Sequence, residues 1–156
     1  MRTELFHCAP LPLGPGSIIC PGNWGRIKRR FEPNALAIAR EAIIEDVRRR
    51  EFGAKPSRLD SAFACPTLAA AEQYRAKHAP TSLIYRIELL NIDASSHIGD
   101  YELYLQGFVG IDGMEEVARR YWRSEDLGAS ELLTLSPLRV IECVDGAVPP
   151  LPGLRP

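Results

Sequence analysis

Three kinds of feature that would assign a protein to a class at once are missing from this 156-residue sequence. No apolar run is long enough to cross a bilayer, and only two apolar residues separate Met1–Glu4 from His7, so we expect neither a membrane span nor a secretion signal. Lys plus Arg number 19 and Asp plus Glu number 20, so no excess of positive charge predicts binding to nucleic acid. With 46% apolar and 25% charged residues, the chain has the composition of an ordinary folded domain.

Pairs of metal ligands are missing as well. The four cysteines are dispersed without a CxxC pair, and neither they nor the three histidines cluster at the spacing of a zinc site. The sequence therefore predicts no metal, reduced thiols and a cytoplasmic location. The residues concerned are Cys8, Cys20, Cys65 and Cys143, together with His7, His78 and His97.

Glycine-rich segments are present, but they lack the patterns that bind phosphate. Leu13–Gly16 and Pro21–Arg26 match neither GxGxxG nor the P-loop, and no Lys-Ser or Lys-Thr pair follows them. We therefore expect no nucleotide binding of the Rossmann or kinase type. GxSxG and papain-like signatures do not occur either, so no motif favours a catalytic triad.

Hydrophobic periodicity predicts strands and helices that are interspersed along the chain. Four prolines and four glycines between Pro10 and Arg26 predict a structured loop without a helix, and residues 98–109 fit either a strand or a helix. We expect a single α+β domain over residues 1–146 and a proline-rich tail over 147–156. Strands are expected at 3–8, 61–65, 82–91 (half buried), 131–135 and 138–144, and helices at 35–52, 67–77 and 114–122, the last capped by Asp112.

The helix at 35–52 is predicted to be amphipathic, with Asn34 as its N-cap. Its apolar residues fall at helical spacing and would face the core, while charged residues occupy the opposite side. The apolar stripe consists of Leu36, Ala39, Ile43 and Val47, and the charged side of Arg40, Glu41, Glu45, Arg48 and Arg49.

Six residues occur in an order that is more informative than any one of them. They are His7 on the first strand, Arg58 and Ser61 before an apolar strand, Phe63 on that strand, Tyr74 in the next helix and Glu131 at the start of a late strand. Three segments carry the pattern: LFHCA, DSAFACPTLAAAEQY with its two aromatic residues eleven apart, and SELLTLSPLRVIE. This order resembles the histidine–tyrosine–glutamate branch of the ADP-ribosyltransferase fold, which includes diphtheria-type toxins and poly(ADP-ribose) polymerases.

The resemblance implies a split β-sheet core with flanking helices, and NAD as the substrate. Glu131 would be the catalytic residue, because a carboxylate can bind the ribose 2′-hydroxyl and stabilise the oxocarbenium-like charge that forms as nicotinamide leaves. His7 would bind the other ribose and so orient the dinucleotide. Phe63 and Tyr74 would stack on the nicotinamide ring, and no metal is required.

The remaining contacts that the resemblance implies are polar. Arg58 or Arg26 would pair with the pyrophosphate, for which a planar guanidinium is well suited, and Ser61 would also belong to the NAD site. The product would be a macromolecule carrying ADP-ribose, with a protein as the expected acceptor and no membrane or nucleic acid as a partner. In a bacterium, a stand-alone domain of this size would suit a toxin or effector delivered into a target cell without a signal peptide.

Two residues depart from the family pattern. Phe63 stands where the family usually has tyrosine, which keeps the stacking and loses a hydroxyl, and Ala129 is not the Glu or Gln of arginine-specific transferases. Modification of arginine is therefore disfavoured. The segments PSRL, YW and ELL also resemble a family of short uncharacterised bacterial and fungal proteins.

Alternatives remain open at this stage. The same site could act as an NAD glycohydrolase with water as the acceptor, or Phe63 could mark a degenerate member that has lost activity. A non-catalytic module could instead use Trp24, Tyr121 and Trp122 as a protein-contact surface, although Tyr121 and Trp122 are first expected to close the core. Structural pairing of Arg58 with Asp60 or Glu41 is the alternative to a pyrophosphate contact.

Overall fold

A computed structural model describes residues 4–103 and 110–145 of the chain. In these ranges seven strands and four α-helices are interspersed, which confirms the predicted α+β class. In chain order they are β1 (Leu5–Ala9), β2 (Ile18–Ile19), α1 (Asn23–Phe31), α2 (Ala35–Glu51), β3 (Ala62–Ala64), α3 (Leu68–His78), β4 (Leu83–Leu89), β5 (Ser96–Asp100), α4 (Gly110–Trp122), β6 (Ser130–Thr134) and β7 (Leu138–Cys143). None of these helices is long and apolar enough to cross a membrane.

The strands form two antiparallel sheets that meet at one edge. The larger sheet has the order β1-β4-β7-β2 and the smaller one β3-β6-β5. Phe6 of β1 and Cys65, directly after β3, form an antiparallel bridge with backbone N–O distances of 3.0 and 2.7 Å. This bridge brings the first strand of one sheet beside the edge strand of the other.

The inner strand β4 is buried along one face, as the sequence predicts, and at Ile84 it is buried on the other face as well. Tyr85 and Ile87 pack into the core between the two sheets. Ile84 points to the other face and packs with Phe6 and Ala71, so α3 covers the side that was expected to face solvent. Ile84, an apolar residue on the face expected to be polar, is the feature of the sequence that indicates a layer of structure packed on that face.

A third cluster lies where α2 and α4 pack against the smaller sheet. Ile44 and Val47 of α2 meet Trp122 of α4 and Leu133 of β6. Trp122 donates its indole N–H to the carbonyl of Ile44 at 3.0 Å, so its polar atom is satisfied within the core. Tyr121 and Trp122 have no exposed surface, which confirms that they close the core and excludes them from a protein-contact surface.

Helix α2 begins where the sequence predicts. The Asn34 side chain accepts hydrogen bonds from the backbone N–H groups of Leu36 and Ala37 at 3.0 and 3.1 Å, so it is the N-cap. Two residues of α2 do not lie where the sequence predicts. Leu36, expected to face the core, is 48% exposed, and Glu41, expected on the charged side, is only 9% exposed. The carboxylate of Glu41 turns inward because it binds Arg58, a partner that helical periodicity does not reveal.

The segment predicted as a loop up to Arg26 contains the start of α1, which is a correction. The turn into this helix uses Gly22 in the left-handed conformation, with φ of 87°. Within the helix, Gly25 lies against the backbone of Leu59, and a Cβ built there would be 1.8 Å from the Leu59 carbonyl oxygen. A glycine that reads as a helix breaker is therefore needed for close packing of the helix, which hides α1 from sequence reasoning.

The remaining boundaries agree with the predictions to within a few residues, apart from the start of α4. This helix begins at Gly110, so Asp112 lies in its first turn and is not the residue before it. Of the ambiguous stretch 98–109, the first residues belong to β5, and residues 104–109 lie outside the described residues. The proline-rich tail over 147–156 also lies outside them.

Candidate functional site

A cavity of about 150 Å³ lies where the two sheets meet. Its walls include His7 from β1, Phe63 from β3, Tyr74 from α3 and Glu131 from β6. These four residues come from four separate elements, and the sequence predicts all of them as site residues. The structure thus brings them to one place, together with Arg58.

Glu131 is held in a defined orientation at the start of β6 and is only 8% exposed. Its Oε1 atom accepts a hydrogen bond from the hydroxyl of Tyr121 at 2.7 Å and another from Nη1 of Arg58. Its Oε2 atom has no hydrogen-bond partner in the described part of the chain and is not fully buried. Oε2 is therefore the oxygen that Glu131 offers to the cavity.

Arg58 lies at the centre of the site and is 2% exposed. It opens a short 3₁₀ turn, and the preceding Ser57 caps that turn by accepting a hydrogen bond from the Leu59 N–H at 3.2 Å. The Arg58 guanidinium binds Glu41 through Nε at 3.1 Å and Glu131 through Nη1. The pairing with Glu41 is the structural alternative that the sequence left open, and the contact of Arg58 with a pyrophosphate stays a prediction.

Among the described residues, three aromatic rings lie against the Arg58 guanidinium. Its Cζ atom lies 5.1 Å from the ring centre of Tyr121 and 5.3 Å from those of Trp24 and Phe63. At these distances the ring faces attract a cation, and they fix its position more firmly than ion pairs alone would. Trp24 also meets Phe63 edge to face, with ring centres 4.9 Å apart.

His7 is prepared to accept a hydrogen bond. Its Nδ1 lies 2.8 Å from the backbone carbonyl of Phe63. A carbonyl can only accept, so Nδ1 carries the proton and Nε2 of the neutral ring is an acceptor. Burial lowers the pKa of His7, which keeps the ring neutral at physiological pH.

Ser61 and Arg26 do not line the cavity, and their predicted contacts with NAD stay predictions. The Ser61 hydroxyl is buried and donates to the Ser57 carbonyl at 2.7 Å, so it stabilises the turn that carries Arg58. Arg26 lies exposed on α1, where its guanidinium binds the Asn23 side chain at 2.9 Å. Asp60, the other candidate partner of Arg58, pairs with Arg29 at 3.0 Å.

Sequence reasoning missed Tyr101 as a wall residue and left the role of Trp24 open. Trp24 belongs to the unpredicted helix α1, and Tyr101 falls in the ambiguous stretch after β5. Tyr101 packs edge to face on Tyr74 with ring centres 5.3 Å apart. Its hydroxyl is buried without a hydrogen-bond partner in the described ranges, and burial raises the pKa of Tyr101 to about 12.

Two thiols also line the cavity. Cys8 and Cys65 are free, and the hydrogen bond between them, followed by burial, raises the pKa of the Cys65 thiol far above its usual value. The same hydrogen bond lowers the pKa of Cys8. Among the described residues no group of three His, Cys, Asp or Glu side chains could hold a metal ion.

The fold and the cavity define an antiparallel α+β domain whose site combines one oriented carboxylate, one neutral histidine and aromatic walls. A protein-family model described as "Protein of unknown function (DUF2441)" matches residues 23–146, and the chain belongs to that family. The matched segment includes Arg58, Phe63, Tyr74 and Glu131, and it begins after β1, which carries His7. No curated protein matches the chain.

Proposed function

We propose that this protein is an ADP-ribosyltransferase that cleaves NAD and transfers ADP-ribose to a macromolecule, with a protein as the acceptor. The observation that supports this function best is the convergence of His7, Phe63, Tyr74 and Glu131 on one cavity. These residues lie in the order of the histidine–tyrosine–glutamate branch along the chain, yet they are far apart in the sequence. Their common cavity is what a shared ligand would require.

The proposed chemistry depends on the free oxygen of Glu131. Oε2 would accept a hydrogen bond from the 2′-hydroxyl of the nicotinamide ribose. As the bond between nicotinamide and ribose breaks, positive charge develops on the sugar, and a fixed carboxylate beside it lowers the energy of that state. Nicotinamide departs with the bonding electron pair, and the acceptor nucleophile then forms the new bond to the ribose.

His7 and the aromatic walls would orient the substrate. Nε2 of His7 would accept a hydrogen bond from a hydroxyl of the other ribose, which the neutral ring permits. Phe63 and Tyr74 would hold the nicotinamide ring, and Phe63 does so without a hydroxyl. Holding the dinucleotide in one orientation reduces the entropy cost of reaching the transition state.

The size of the cavity limits what it can enclose. Its volume of about 150 Å³ is below the range of roughly 300–1,000 Å³ that encloses drug-sized ligands. We therefore expect nicotinamide and part of its ribose to enter, with the other ribose reaching the His7 wall and the pyrophosphate and adenine extending over the surface. Arg58 is consistent with this arrangement, because its guanidinium lines the cavity and already binds the carboxylates of Glu41 and Glu131.

The arrangement of the sheets supports the finer fold assignment that we propose, the split β-sheet core of ADP-ribosyltransferases. Glu131 lies on β6, which pairs with β3, the strand of Phe63. The bridge between Phe6 and Cys65 then joins β3 to β1, the strand of His7. The three strands that carry the proposed site are thus neighbours across the junction between the sheets.

The first test is release of nicotinamide from NAD by the purified protein and by Glu131→Gln. We expect the substitution to lower turnover by at least about 10²-fold, because it removes the charge that stabilises the developing cation. Glu142→Gln is the matched control, since Glu142 is an exposed strand residue that binds Arg86 away from the cavity. Equal rates for Glu131→Gln and the wild type, with both folded by circular dichroism, would refute the assignment.

The products of the same assay distinguish transfer from hydrolysis. Both reactions would use the same cavity, and they differ only in whether water or an acceptor attacks the ribose. Free ADP-ribose in an amount equal to nicotinamide would identify an NAD glycohydrolase. Label from adenine-labelled NAD that stays bound to an added protein would identify a transferase.

A further inference from the structure

Glu131 is connected to a second buried carboxylate that does not touch the cavity. Arg58 joins the two, with its Nε 3.1 Å from Oε2 of Glu41 and its Nη1 bonded to Oε1 of Glu131. The side chains of Arg58, Glu41 and Glu131 are 2%, 11% and 10% exposed. One cation and two carboxylates carry a formal charge of −1, so the group as a whole is anionic.

The second carboxylate changes what Glu131 can do. If Arg58 paired with Glu131 alone, its charge would cancel much of the field that the catalytic carboxylate exerts on a nearby cation. Glu41 offsets the charge of Arg58 from the other side. Because buried charges are weakly screened, this compensation acts over the few ångströms between them.

The hydroxyl of Tyr121 controls the orientation of the same carboxylate. It accepts a hydrogen bond from Nη1 of Arg58 at 2.6 Å and donates one to Oε1 of Glu131 at 2.7 Å. Burial raises the pKa of Tyr121 well above its usual value, so the hydroxyl stays a donor. With Arg58 and Tyr121 both on Oε1, the carboxylate cannot rotate without breaking two hydrogen bonds, and Oε2 stays toward the cavity.

The neighbouring strand leaves space for this contact. Gly99 of β5 lies opposite Glu131 in the antiparallel register. A Cβ at Gly99 would come within 2.4 Å of the Tyr121 ring, so only glycine lets the ring lie against the strand beside Glu131. The position of Tyr121 thus depends on the backbone as well as on its hydrogen bonds.

We propose that Glu41 and Tyr121 are positioning residues for Glu131. Glu41 keeps the catalytic group anionic by offsetting the charge of Arg58, and Tyr121 presents Oε2 to the ribose hydroxyl. Neither residue touches NAD in this scheme, and both act through Arg58 and Glu131. This inference rests on the proposed function and deepens it.

The first test of this scheme is Glu41→Gln, which keeps an oxygen to accept from Arg58 and removes one negative charge. We expect kcat for nicotinamide release to fall about 10-fold or more, with KM for NAD within about twofold, because the charge matters only as the cation develops. Glu51→Gln is the matched control, at the end of the same helix. Glu51 binds Arg119 of α4 at 3.0 Å, away from the cavity and from the turn of Arg58, so its loss should lower Tm slightly without lowering kcat.

A second pair of variants tests the orientation of the carboxylate. Tyr121→Phe keeps the buried ring and removes the hydroxyl, and we expect about a 10-fold fall in kcat with little change in KM. Tyr85→Phe is its control. The Tyr85 ring is equally buried, and its hydroxyl binds the backbone of Leu11 and Leu13 at 2.8 and 2.9 Å, outside the cavity walls. It should lose stability with kcat unchanged.

The outcomes separate the two levels of the proposal. An active wild type with unchanged kcat in folded Glu41→Gln and Tyr121→Phe would overturn this inference and leave the proposed function standing. Falls in kcat that the control variants share in proportion to their loss of Tm would also overturn it, because stability would then explain them. A folded wild type that neither binds NAD nor releases nicotinamide would overturn the proposed function and this inference with it.

Discussion

Two histidines, the half-buried His7 and the buried His97, show how this fold separates a structural residue from one that can bind a ligand. His7 and His97 each have one ring nitrogen on a backbone carbonyl, that of Phe63 at 2.8 Å and that of Tyr121 at 3.0 Å. The other nitrogen of His97 is also taken, because Lys55 donates to it at 3.2 Å. The second nitrogen of His7 has no partner among the described residues, and His7 lines the cavity.

The two rings therefore hold opposite tautomers. His7 carries its proton on Nδ1 and leaves Nε2 as an acceptor, whereas His97 carries it on Nε2 and accepts from Lys55 at Nδ1. Burial lowers the pKa of both, and it lowers that of His97 to about 4. Among the described residues, His7 keeps one ring nitrogen without a hydrogen-bond partner and His97 keeps none. Only His7 can therefore accept a hydrogen bond from a ligand.

The largest effect that the comparison predicts is loss of stability on replacing His97. His97→Ala empties the site between Tyr121 and Trp122 and removes two hydrogen bonds, one from Lys55 to the ring and one from the ring to the Tyr121 carbonyl. We expect the free energy of unfolding to fall by about 2–4 kcal/mol, measured by urea denaturation. A fall as small as that for His7→Ala would mean that His97 is not the more tightly held residue.

The converse prediction concerns NAD. His7→Ala should weaken NAD binding by about 10-fold, since one hydrogen bond to a hydroxyl contributes about 1–1.5 kcal/mol. Titration with NAD under native conditions measures this, and His97→Gln is the comparison variant that should retain wild-type affinity. Equal affinity of His7→Ala and the wild type would show that the free nitrogen of His7 does not contact the substrate.

The last prediction concerns the pH dependence of stability that His97 causes. Its pKa is about 4 in the folded protein because of burial and the positive charge of Lys55, against 6.5 for a free histidine. The unfolded state therefore binds the proton first, so this contribution to stability is complete above pH 6.5 and is lost as pH falls toward 4. We expect about 1–2 kcal/mol, less than the full shift implies, because the half-buried Lys55 brings solvent close.

The measurement is urea denaturation at pH 7 and pH 4.5 for the wild type and His97→Gln. Other groups titrate in this range, so the informative quantity is the difference between the two proteins at each pH. The wild type should lose more stability than His97→Gln on acidification. An equal loss would show that His97 does not control this part of the pH dependence.

The elements and the four cavity residues could be predicted because short segments of the sequence contain the patterns that indicate them. Periodicity marks the strands of His7 and Glu131 and the helix of Tyr74, and the motif order then relates them. The ionic contacts of the site could not be predicted in the same way. Arg58 could have paired with Asp60 or Glu41, and only the packing of α2 against the turn decides for Glu41.

Tyr121 shows the limit most clearly. Its place at the end of a predicted helix indicates that it closes the core, and its ring does so. That its hydroxyl reaches Glu131 depends on the close approach of α4 to β5 at Gly99, which no local pattern records. The role of Trp24 stayed open for a related reason, because the glycine that permits close packing of α1 looks like a loop residue in the sequence.

The bridge between Phe6 and Cys65 has a consequence for the cooperativity of folding. His7 belongs to one sheet and Glu131 to the other, so a ligand that binds both would link the two halves across this junction. Binding would therefore raise the free energy needed for the local opening that separates the two sheets. The amide protons of Phe6 and Cys65, which form the bridge, would exchange more slowly with solvent deuterium when the cavity is occupied.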